Sequence, residues 1–69
     1  MEKQLYYINQ GNVRPATIAD KADYTESALA LAIDETEALT LCKEYDAGSI
    51  TYDNAVSPLT GETIAALSR

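Results

Sequence analysis

The sequence predicts a small α+β fold: a three- to four-stranded, mostly antiparallel sheet with one amphipathic helix packed on one face, in the order strand, strand, strand, helix, strand. Three observations carry this reading. Leu5 to Ile8 (LYYI) has the β-branched and aromatic composition of a strand. Larger side chains recur at every second position in Leu29, Leu31 and Ile33, with alanines between them. At Asp34 the apolar period then changes from two residues to that of a helix.

Taken in order, Leu5 and Tyr7 fall on one face of the first strand and Tyr6 and Ile8 on the other, so both faces are expected to be partly covered. Asn9 to Asn12 (NQGN) is a turn signal, and Val13 to Ile18 reads as a return strand. Pro15 confines that strand to an edge, because proline has no N–H to give to a ladder. Asp20 to Tyr24 is polar, acidic and aperiodic and reads as a loop.

Ala28 to Ile33 is the ambiguous stretch. Extended, it places the leucines on one face; wound as a helix it is apolar all round and rich in strong helix formers. The strand is the preferred reading, and in the helical alternative Asp23 and Glu26 form a capping box for a helix beginning at Thr25.

Glu35 to Asp46 is the firmest element. At 100° per residue, Ala38, Leu39, Leu41, Cys42 and Tyr45 gather on one side and Thr36, Glu37, Thr40, Lys43 and Glu44 on the other. Asp34 stands where a side chain can accept from the open N–H groups of the first turn, and Glu37 can reach back. Gly48 follows the last periodic residue, where a left-handed residue closes a helix.

Beyond the helix, Ser49 to Asp53 (SITYD) alternates and reads as a short strand, parallel to Leu29 to Ile33 if both join one sheet. Asp53-Asn54 reads as a turn and Ser57 to Gly61 as a loop. Thr63 to Leu67 suits a helical turn or an edge strand; the spacing of Ile64 and Leu67 favours the helix.

A chain of 69 residues is expected to form one domain, residues 1–69, with a core that yields only a few kcal/mol net. Apolar content of 46% is that of a folded chain. A single cysteine makes no internal disulfide, and no apolar run reaches the length of a signal core or a membrane span, which points to a reduced, cytoplasmic setting. There is no Trp or Phe, so five tyrosines supply all the aromatic area.

Eleven acids against five bases give a net charge of −6. The excess lies between Asp20 and Asp46, where eight acids face Lys21 and Lys43, while the rest of the chain balances. Direct nucleic-acid binding is disfavoured, since it needs Lys and Arg to displace counterions from phosphates.

Catalytic chemistry finds little support in these residues. Histidine is absent, which removes the usual proton shuttle, zinc sites and activated Ser or Cys nucleophiles. Cys42 lies on the apolar helix face and reads as a small core residue. Asp34, Glu35 and Glu37 lack the ligand order and central Gly of an EF-hand, and capping accounts for two of them. Gly11, Gly48 and Gly61 fit no phosphate-cradling spacing. The expectation is a non-enzyme with no cofactor and no metal.

Two readings follow. In the first, the chain is a protein-binding module whose acids dock on a basic partner surface, with Asp20, Asp23, Glu26, Glu35, Glu37, Glu44, Asp46, Tyr6 and Tyr24 as contact residues. Its sharp form is a small inhibitor occupying the nucleic-acid site of a larger complex, as small acidic phage proteins such as anti-CRISPRs or restriction inhibitors do; size and charge alone carry that analogy. In the second, the chain is a structural or assembly protein, a homodimer or small subunit, and its acids serve solubility. The tyrosines Tyr6, Tyr7, Tyr24, Tyr45 and Tyr52 could supply recognition area or simply fill the core edge.

Overall fold

The computed structural model describes residues 2–23 and 25–69. Its elements are β1 (Gln4–Asn9), β2 (Asn12–Pro15), β3 (Ser27–Ala32), α1 (Glu35–Asp46), β4 (Asp53–Val56) and β5 (Thr63–Ala66). The α+β class and the order through α1 agree with the sequence reading, and Ala28 to Ala32 resolves as strand, while Ile33, expected on its packed face, lies in the connection to α1 and is exposed. β1 lies between β2 and β3 in an antiparallel three-stranded sheet, and β4 and β5 form a separate antiparallel pair.

β1 and β2 are joined by Gln10 and Gly11, both at positive φ (50° and 84°). A two-residue turn with both central residues left-handed has the twist that a tight hairpin needs. The register pairs Tyr6 with Pro15 and Tyr7 with Arg14. Because the Ala16 N–H donates to the Leu5 carbonyl at 2.9 Å, ladder alternation turns the nitrogen of Pro15 away from β1. Proline therefore costs no ladder bond here and leaves a donor missing on the open edge, as expected of an edge strand.

β3 is covered on both faces. Ala28, Ala30 and Ala32 join Tyr6, Ile8, Ala38, Leu41 and Leu67 in a cluster under α1. Leu29 joins Leu5, Ala16 and Ala66 in a second cluster on the opposite face, with Tyr7, Leu31, Ala55 and Ile64 packed against it. The β1–β3 register sets Tyr6 opposite Ala30 and Ile8 opposite Ala28 on the helix side. Each large residue there faces an alanine, which leaves room for the helix.

α1 begins and ends as its sequence indicates. The Asp34 carboxylate accepts from the Glu37 N–H at 2.8 Å, while the Glu37 carboxylate accepts from the Ile33 N–H at 3.3 Å, one residue further back than a simple capping box. At the other end Gly48 (φ 77°) donates to Tyr45 and Ser49 to Glu44, the paired bonds of a Schellman closure. Ala38 and Leu41 are buried, with Cys42 and Tyr45 partly so. Leu39 is a correction: it stands about 100° around the helix from Ala38 and is exposed.

The C-terminal third departs most from expectation. Ile50 and Tyr52 pack against the helix-side cluster without entering a ladder, and the strand begins at Asp53, where a turn was expected. No parallel crossover strand forms from Ser49 to Asp53. Thr63 to Ala66 is a strand and not a helical turn. Ile64 packs on the leucine side and Leu67 on the helix side; a separation of three, which suits one helix face, also sends two residues to opposite faces of an extended chain. Leu67 continues past β5 to pair in parallel with Ala30, donating to Leu29 and accepting from Leu31 at 2.8 Å each. The β4–β5 hairpin is thereby tied to the edge of β3.

Ala30 has no exposed surface, so Ala30→Leu drives side chain into α1 and is expected to destabilise by about 1–3 kcal/mol, the usual range for overpacking. Urea unfolding followed by circular dichroism measures this, and Ala19→Leu, at an exposed position, is expected to change stability little.

Candidate functional site

The surface charge is built by what the bases do. Arg14 on β2 lies over the Tyr7 ring, 4.5 Å from its centroid. Its two terminal nitrogens donate to the two carboxylate oxygens of Asp20 at 2.7 Å each. Asp20 also accepts from the Thr17 N–H at 2.7 Å. The Arg14 bonds, aided by Thr17 and opposed by burial, hold the Asp20 carboxyl down at about 2. Arg69 pairs with Glu44, and the Lys3 ammonium donates to the Arg69 carbonyl at 2.8 Å. Lys21 and Lys43 are the bases left uncommitted among the described residues.

The predicted contact residues separate into distinct groups. Asp20 is locked to Arg14, Asp23 accepts from the Thr25 hydroxyl at 2.8 Å, and Glu37 and Glu44 serve the helix start and Arg69. Glu26 and Glu35, together with Glu2 and Glu62, are exposed and have no ion-pair partner among the described residues. On α1, Glu37 and Glu44 are seven residues apart and share one flank; Glu35 and Asp46, eleven apart, share the other. The acids therefore border the helix on two sides and do not form one sheet of charge. Tyr6 is a correction, because it is 6% exposed and lies in the core under α1, where no partner reaches it. Tyr24 lies outside the described residues.

Two concavities were not legible as sites in the sequence. A cleft of about 350 Å³ opens on the leucine side, with Leu5, Leu29 and Ile64 within it and Ile18 and Leu59 at its mouth. Ile18 is 73% exposed, an unusual position for an isoleucine. A smaller recess lies by the C-terminal half of α1, lined by Glu26, Tyr45, Asp46 and Tyr52 among others. Cys42 borders it, and burial followed by the nearby Asp46 charge pushes its thiol pKa up, which disfavours the nucleophilic thiolate.

Among the described residues no group of three or more His, Cys, Asp or Glu is placed to hold a metal ion. Nor is any helix among them long and apolar enough to cross a membrane. The chain matches no known protein family, no curated protein and no solved structure.

The depressed Asp20 pKa gives a sign. A carboxyl held lower in the folded than in the unfolded state stabilises the fold above its unfolded value, near 4, and this contribution is lost as pH falls toward 2. Asp20→Asn is expected to flatten the acid limb of the stability curve between those values. In a carbon-detected titration the Asp20 carboxyl is expected to have a midpoint near 2, moving back toward the ordinary aspartate range in Arg14→Met.

Proposed function

We propose that this chain is a non-enzymatic protein-binding module, acting in the cytoplasm, that docks through its acidic surface on the basic surface of a partner. The supporting observation is the internal use of the arginines. Arg14 and Arg69 are bound to Asp20 and Glu44, so the charge left for a partner is more one-sided than composition suggests. Glu2, Glu26, Glu35 and Glu62 are open to it, with Lys3, Lys21 and Lys43 as the bases without an ion-pair partner among the described residues. Such a field steers association with a positive surface and opposes binding to phosphates. A basic groove that handles nucleic acid is the natural target, and the sharp form of the reading is an inhibitor that occupies such a groove, in the manner of small acidic phage proteins of the anti-CRISPR or restriction-inhibitor kind.

A second reading, assembly as a homodimer, is favoured by Ile18 and Leu59 at the mouth of the apolar cleft. Its test is sedimentation over a range of concentrations with Ile18→Ser as the variant.

For docking, the expected result is capture of an identifiable basic protein at low salt, released by high salt and by added nucleic acid. Charge reversal at Glu2, Glu35 and Glu62 is expected to abolish capture. A complex indifferent to both salt and that variant would contradict the reading.

A further inference from the structure

Resting on the acidic-docking reading, we propose that the recess between the β1–β2 turn, the start of β3 and the C-terminal half of α1 receives one cationic side chain, an arginine, from the partner protein. The recess encloses about 260 Å³. Ile8 and Ala28, both buried, contribute its apolar lining. Tyr45 and Tyr52 form an aromatic wall, their ring centroids 4.8 Å apart and their planes inclined by 54°. Glu26 and Asp46 supply carboxylates, and no basic residue lines the recess among the described residues.

Among the described residues, no base pairs with the charge there. Glu26 has no ion-pair partner among the described residues, and Asp46 receives only a long contact, 4.0 Å, from the Cys42 thiol. Asp46 is also the last residue of α1, at the end where the backbone carbonyls already concentrate negative potential. A carboxylate at that end works against the helix, unlike Glu35 and Glu37 in the first turn. Glu44, in the same last turn, is neutralised by Arg69. The recess thus combines an aromatic wall, two carboxylates and a helix C-terminus. That combination suits a guanidinium, which stacks on a tyrosine face, here that of Tyr45, while its planar fork donates to carboxylates. A lysine ammonium meets the charge but has no planar face to lay against the Tyr45 ring.

The probe is a blocked Gly-Arg-Gly peptide titrated into the isotopically labelled full chain by NMR, with the same peptide carrying citrulline as the uncharged isostere. Shifts are expected at the amides of Gly11, Glu26, Ala28 and Asp46 and at the Tyr45 ring, with the citrulline peptide inert. Glu26→Gln and Asp46→Asn are each expected to weaken binding by about three- to fivefold, the scale of a partly exposed charge pair. Asp46→Asn is expected to leave the thermal midpoint unchanged or raise it, which separates lost charge from lost fold. Shifts scattered equally over Glu2, Glu35 and Glu62, or an affinity unchanged in both variants, would overturn the receptor. The two proposals fail separately: salt-dependent capture of a basic partner that survives the Glu26→Gln/Asp46→Asn double variant removes the receptor and leaves acidic docking standing.

Discussion

The fold depends on the unequal covering of the two faces of β3. Alanines at 28, 30 and 32 face the helix, and leucines at 29 and 31 face the β4–β5 hairpin. A helix can approach a sheet closely only where the sheet presents small side chains, and Ala38 on α1 meets that surface with another small one. On the other face the leucines pair with Leu5 and Tyr7 across the ladder, large opposite large. They need a second layer to remove them from water, and the hairpin supplies it. A single strand therefore organises both halves of a chain too small for a second independent core.

That arrangement also settles the strand edges. β2 ends at Pro15, whose missing donor lies on its open side. On β3 the outward groups of Leu29 and Leu31 are taken by Leu67. Just past β4 the Ser57 N–H donates to the Glu62 carbonyl, so ladder alternation turns the Asn54 N–H outward, where the Asp53 carboxylate accepts it at 2.9 Å. Short edges blunted by proline and by self-bonded aspartate resist the addition of another strand. Under the docking proposal, contact with a partner would thus fall to side-chain surfaces, the grooves and the open carboxylates, and not to an added strand.

How much was legible follows from where the determinants sit. α1 was readable to the residue because its cap, its period and its closing glycine are all local. β1, its turn and the edge position of Pro15 were readable for the same reason. β4 was not: Asp53 and Asn54 are turn formers, and their extended conformation is imposed by pairing with Ala66 and Ala65 across the hairpin. Ile50 and Tyr52 alternate as a strand would, yet that alternation serves packing under α1. Thr63 to Leu67 was misread because spacing alone cannot distinguish one helix face from a strand buried on both sides. The carboxylate surface was legible in number and not in arrangement. The pairing of Arg69 with Glu44 spans 25 positions, and no local pattern announces it. Tyr6 misled for a related reason: its neighbours resemble a boundary strand, and only the alanine opposite makes room to bury it.

The placement of the acids bears on both the solubility and the recognition readings. Charges that serve solubility alone are best placed where they also help the fold, and several here are: Asp34 caps, Glu37 bonds the Ile33 N–H, and Glu35 stands at the positive end of the helix. Asp46 does the reverse, sitting at the negative end with no ion-pair partner among the described residues, beside Glu26 and two tyrosines. Proteins keep such locally unfavourable choices where something other than stability benefits, so conflict between local preference and placement marks a candidate site more sharply than the count of charges. By that criterion the chain's acids fall into two sets, one that serves the fold and one that does not, and the recess at the end of α1 holds two of the second, Glu26 and Asp46.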